Sequence, residues 1–171
     1  MDILRAEALS AVLGGRRQAS QSEMAQLYPE YLKGYVAKGI GLGMLDPRLA
    51  DFDLDRLGAA IAAERDLDFT FLGLQTLYDR YFLHERGQRY ELPQAFFLRV
   101  AMGLAINEEH KEERAIEFYR LISSFDFMCS TPTLFNAGTT RPQLSSCFLT
   151  TVSDDLSGIF QSIKDLSLIH I

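Results

Sequence analysis

From Phe71 to Phe125 the apolar residues recur at three- and four-residue intervals, and this helical period constrains the fold more than any other feature of the chain. Phe71, Leu74, Leu77, Tyr78 and Tyr81 mark one stripe, which needs a partner helix. Glu91-Leu92-Pro93 opens a further helix, with proline at a first-turn position where no amide partner is lost. Phe97, Val100, Ala101 and Leu104 form its buried face. Asn107 is a cap for the next, predicted from Glu108 to about Phe125, whose acidic start (Glu108, Glu109, Glu112, Glu113) suits the positive end of the helix dipole.

The chain before this stretch is also helical in pattern. Residues 1 to 13 read as a short helix, and Gly14 to Ser22 as a polar connection. Glu23 to Leu45 reads as an interrupted helix running into a glycine-softened turn, since Gly34, Gly39, Gly41 and Gly43 each cost a helix about 1 kcal/mol against Ala. Asp53 or Asp55 can cap a helix reaching Glu64. The character changes at Ser130 to Pro142, where Pro, Asn and Gly in close succession predict a structured loop without a regular element. Gln143 to Thr151 then favours a strand, with Ser145, Cys147 and Leu149 on one face. Ser153-Asp154-Asp155 ends it and can cap a last helix beginning near Leu156.

With 171 residues, 47% of them hydrophobic, the chain can fill a core. A formal net charge of -6 without clustered Lys and Arg argues against a nucleic-acid binder. Two cysteines, Cys129 and Cys147, do not make a secreted disulfide scaffold, so a reducing, cytoplasmic setting is expected. No signal-peptide pattern and no stretch of roughly 18 apolar residues occurs, so no membrane partner is expected. His84, His110 and His170 lack metal-ligand spacing, and no metal is expected. Gly39-x-Gly41-x-Gly43 has neither the preceding strand nor the following Lys-Ser/Thr of a phosphate loop.

The string Ser130-Thr131-Pro132-Thr133-Leu134-Phe135-Asn136-Ala137-Gly138-Thr139, followed by Arg141-Pro142-Gln143-Leu144-Ser145-Ser146-Cys147-Phe148-Leu149, resembles the substrate loop and first barrel strand of ribonucleotide reductase large subunits. Upstream, the run from Arg65-Asp66-Leu67-Asp68-Phe69 to Tyr78-Asp79-Arg80-Tyr81 is similar to the helical segment preceding that loop in the family. The resemblance covers residues 25 to 165 or so and is nearest the two-subunit, class I ribonucleoside-diphosphate reductases. It implies a mainly α N-terminal domain over 23–142, then the first strand of a ten-stranded α/β barrel over 143–171, truncated. Residues 1–22 would be an extension with no recognised ATP cone.

In this family a thiyl radical abstracts the ribose 3′ hydrogen, and a thiol pair supplies two electrons as the 2′ hydroxyl leaves as water, ending as a disulfide. The resemblance makes Cys147 one thiol of that pair. A thiol suits the task because it yields a proton and, with a second sulfur in reach, two electrons without a metal. Thr131 and Ser146 match substrate-contacting positions, together with Cys147. Amides in such a loop are free to face phosphate oxygens. Asp154 and Leu156 fall where the family binds its deoxynucleoside triphosphate effector at a dimer interface, and Asp155 can exchange roles with Asp154. Cys129 lies outside the pattern and is expected to be a packing residue; spacing permits a bridge to Cys147, and a reducing compartment argues against one.

The partners implied are a ribonucleoside diphosphate, a deoxynucleoside triphosphate effector, a second large subunit, thioredoxin or glutaredoxin, and a metal-containing small subunit that generates the radical. No cofactor is expected on this stretch itself. The alternatives are an adenosylcobalamin-dependent reductase, which shares the motif block, and a non-enzymatic helical interaction module. The chain alone is expected to be inactive, because the radical-bearing cysteine is missing, and poorly soluble, because a lone strand exposes unpaired edges.

Overall fold

A computed structural model describes residues 1–15, 17–147 and 149–169. Arg16 of the polar connection, Phe148 of the expected strand and His170 lie outside the described residues. The elements in order are α1 (Asp2–Leu13), α2 (Gln21–Gly41), a 3₁₀ turn (Pro47–Asp51), α3 (Leu54–Ala59), a second 3₁₀ turn (Ala63–Leu67), α4 (Phe71–Arg80), β1 (His84–Glu85), β2 (Gln88–Arg89), α5 (Pro93–Ala105), α6 (Lys111–Ser123), α7 (Thr131–Asn136) and α8 (Leu156–Ile169). The described chain is therefore mainly helical.

Helix α5 is the centre of the core: every residue from Pro93 to Met102 is buried, as a helix flanked on all sides requires. Helix α2 supplies Met24, Tyr28, Tyr31, Leu32, Tyr35 and Val36 to the same core. It is longer and less interrupted than its glycines suggest, running unbroken through Pro29, Gly34 and Gly39. Tertiary packing overrides propensity there. A Cβ on Gly34 would lie 2.7 Å from Val12 Cγ1, and one on Gly39 would overlap the Leu45 side chain, so both glycines admit close neighbours. At its start the Glu23 carboxylate accepts from the Ser20 amide and hydroxyl, each at 2.7 Å.

Asp53 is the cap of α3, accepting from the Arg56 amide at 3.0 Å, but the helix stops at Ala59. Helix α6 begins at Lys111 behind His110, three residues later than its acidic run suggests. The stripe on α4 is only partly used, with Phe71 83% exposed. The hairpin of β1 and β2 pairs His84 with Arg89 and Glu85 with Gln88. Arg86 and Gly87 both take positive φ, 50° and 90°, the requirement of a two-residue turn of the mirror-image type.

Two further expectations are corrected. Thr131–Asn136 is a helical turn rather than irregular loop, because Pro132 sits in the first turn, where its missing amide costs nothing. Gln143–Thr151 forms no strand among the described residues. The groups a neighbouring strand would use are taken locally: Asn136 Nδ2 donates to Gln143 O at 2.7 Å and Thr133 Oγ1 to Leu144 O at 3.2 Å. A strand exists only through a partner's ladder. No helix of the described residues is long and apolar enough to cross a membrane.

Candidate functional site

The segment from Ser130 to Cys147 is held from beneath by one buried cation. Arg99, on α5, donates from Nη2 to Leu134 O at 3.1 Å and from Nη1 to Ala137 O at 2.6 Å, capturing carbonyls that the end of α7 leaves unpaired. Its Nε meets Glu91 Oε1 at 2.7 Å. Glu91 also accepts from Tyr35 OH at 2.6 Å and from the Leu83 amide at 2.9 Å. Burial alone would lower the guanidinium pKa, but Glu91 and Tyr35 outweigh it, so Arg99 stays charged.

A second set of contacts clamps the loop after α7. Gly138, at φ 75°, lies directly against Gly103 of α5. Asp46 N donates to Gly138 O at 3.0 Å, Thr140 N to Met44 O at 3.1 Å and Thr140 Oγ1 to Gly43 O at 3.0 Å. Leu45 and Thr139 form an isolated antiparallel bridge. The loop is thus bound to α5 on one side and to the turn after α2 on the other.

Thr131 stands at the exposed start of α7, its Oγ1 3.2 Å from Tyr81 OH. The Tyr81 ring stacks on Phe135, centroids 4.5 Å apart and planes within 4°, and meets the buried Phe96 edge-on. Beside them opens a cleft of about 480 Å³ lined by Arg80, Tyr81, His84, Asn136, Thr139 and Arg141, among others. Ser146 and Cys147 are both exposed and adjacent, with Ser146 Oγ 3.8 Å from the Cys147 sulfur. Cys129 and Cys147 are both free thiols, and burial pushes the Cys129 thiol up.

Among the described residues no hydrogen bond joins Thr131 to Ser146 or Cys147; the two ends of the block meet through Thr133 and Leu144 and through Asn136 and Gln143. Asp155, rather than Asp154, serves the start of α8, accepting from the Gly158 amide at 2.8 Å. Hydrogen bonds from Ser153 and then from Gly158 hold its carboxyl below the usual range. Asp154 is exposed, and Leu156, the first residue of α8, is 71% exposed. Ile159, Phe160 and Ile163 of the same helix are exposed as well. Among the described residues no group of three or more His, Cys, Asp or Glu stands close enough to hold a metal ion.

Sequence reasoning did not single out Arg99, Glu91 or the hydroxyl of Tyr81 as parts of this site. A lone arginine inside the apolar run from Ala95 to Leu104, with an acid eight residues before it, is the signal that could have found the pair.

Comparison with known proteins gives the same family throughout. Residues 67–142 match the family model described as ribonucleotide reductase, all-alpha domain. The ribonucleoside-diphosphate reductase subunit alpha of Chlamydia muridarum is 44% identical over 170 residues, 99% of this chain and 16% of that protein. The subunit alpha of Helicobacter pylori is 41% identical over 94% of this chain and 19% of its own length. The large subunit of Danio rerio is 46% identical over 67% of this chain and 14% of its own. The chain thus spans less than a fifth of each of these relatives, between 14% and 19%. On the all-alpha domain match, the mainly helical architecture and a similarity that runs along nearly its whole length, the chain belongs to the family of ribonucleoside-diphosphate reductase large subunits.

Proposed function

We propose that this chain is part of a large subunit that reduces ribonucleoside diphosphates to deoxyribonucleotides by radical and thiol chemistry, the supply step for DNA synthesis. Residues 23–142 form its helical domain, and 143–171 begin an α/β barrel whose other strands provide the ladder that Gln143–Thr151 lacks. Cys147 is one of the two thiols that reduce the substrate. As the 2′ hydroxyl departs as water, the pair gives up two electrons and becomes a disulfide, which thioredoxin or glutaredoxin reopens. Thr131 and Ser146 hold the substrate through hydroxyl and main-chain groups.

Asp154 and Leu156 belong to a deoxynucleoside triphosphate effector site. A second large subunit packs against α8, whose exposed Ile159, Phe160 and Ile163 otherwise leave an apolar face in water. A metal-containing small subunit supplies the radical, and the assembly works in the cytoplasm. The observation that carries this reading is the similarity to the Chlamydia muridarum subunit over 99% of the chain, in a stretch that contains the tethered loop and the free, exposed thiol of Cys147. The test is Cys147→Ser in the full-length protein. Deoxynucleotide formation should be abolished while a ribonucleoside diphosphate still binds; an unchanged rate overturns the assignment.

A further inference from the structure

We infer that Tyr81 is a positioning residue that orients the Thr131 hydroxyl toward an anionic substrate oxygen. The inference rests on the substrate-binding role proposed for Thr131 and deepens it. Tyr81 closes α4, where its amide donates to Leu77 O at 2.9 Å, and its ring is fixed by Phe135 on one face and Phe96 at the edge. The phenol therefore has one soft freedom left, rotation of its O–H. That O–H lies 3.2 Å from Thr131 Oγ1. Among the described residues Thr131 Oγ1 has no other hydrogen-bond partner.

A threonine hydroxyl carries one proton and two lone pairs. When Tyr81 donates into one lone pair, the threonine proton cannot be spent on the tyrosine and is left for a second acceptor. A chain of two donors ending on a charged oxygen is stronger than either link alone. The other end of α7 is fixed by Arg99, so the helix cannot turn the threonine away. Phenylalanine in place of Tyr81 keeps the ring stack and removes the directing hydroxyl.

The experiment uses the full-length large subunit with its radical source and cytidine diphosphate as substrate, in four forms: unaltered, Tyr81→Phe, Thr131→Val and both. Expected is a three- to tenfold rise in KM and in the dissociation constant for Tyr81→Phe, roughly the loss of one hydrogen bond. Its kcat should stay within about twofold, since the loss acts on binding the substrate rather than on the chemical step. A rise for Thr131→Val that Tyr81→Phe does not increase further supports the coupling. If Thr131→Val weakens binding and Tyr81→Phe does not, or if their effects simply multiply, the positioning role is overturned while the substrate role of Thr131 stands. If Thr131→Val leaves binding unchanged, the substrate role fails and the positioning role with it. Equal thermal unfolding of the unaltered and Tyr81→Phe proteins separates lost positioning from lost folding.

Discussion

Arg99 and Glu91 meet at 2.7 Å with both side chains wholly inside the protein, and Arg99 spends its remaining donors on the carbonyls that end α7. A buried pair of this kind gains little over an apolar replacement, but removing one partner strands the other charge. Glu91→Gln or Arg99→Met should each lower the unfolding free energy by about 3–5 kcal/mol. Urea denaturation measures this. A loss below 1 kcal/mol for either would show that the charge is relieved by water.

Asp66 is the second buried carboxylate, accepting from Tyr28 at 2.9 and 3.0 Å, from Gln94 at 3.0 Å and from Arg5 at 3.4 Å. Burial pushes its carboxyl above the usual range, and the hydrogen bonds from Gln94 and Tyr28 offset that only in part. The folded state therefore holds this proton more tightly than the unfolded chain does. Its contribution to stability is complete below the ordinary aspartate value and is lost as the pH rises through the elevated one. The stability of the unaltered chain relative to Asp66→Asn should fall from pH 4 toward neutrality, and a difference that stays flat over that range excludes the linkage.

Gly103 and Gly138 let two backbones touch: a Cβ on Gly103 would lie 2.6 Å from Ala137 C and 2.8 Å from Gly138 Cα. Main chain cannot rotate aside, so Gly103→Ala should cost about 1–3 kcal/mol. Gly41, which has open space where a Cβ would go and no positive φ, is the contrasting case. Gly41→Ala should leave stability unchanged or raise it by up to about 1 kcal/mol. Paired thermal melts decide, and equal effects would contradict the close approach.

The two thiols should differ in reactivity. Cys147 is exposed, whereas burial raises the Cys129 thiol and reduces its thiolate at neutral pH. Limited iodoacetamide followed by peptide mass analysis should find Cys147 modified first. Modification at equal rates would mean that Cys129 is open to solvent.

Elements governed by local chemistry could be read from the residues alone. Asp53 caps α3, Pro93 opens α5 and Asp155 holds the start of α8, each because the side chain acts on the adjoining first turn. The hairpin at His84–Arg89 escaped, since two-residue strands carry too few side chains to display an alternation. Helix α7 is hidden in the sequence because Pro132 breaks a helix interior but is tolerated in a first turn, and only the fold shows which position it holds. For Gln143–Thr151 the β-favouring residues state a preference that only a neighbouring strand can satisfy. At the candidate site the motif residues stand out as a string, while the groups that fix them, Arg99, Glu91 and Tyr81, are 32 to 50 positions away from Thr131, and their contact with the motif emerges only in three dimensions.

The tether from Arg99 to Leu134 and Ala137 means that α7 cannot lift off the body of the protein without leaving a cation in an apolar interior. Its outer surface is consequently in its final shape before any molecule arrives. Little conformational freedom remains to be surrendered on association, and affinity at that surface is governed by which groups face outward rather than by the work of assembling them.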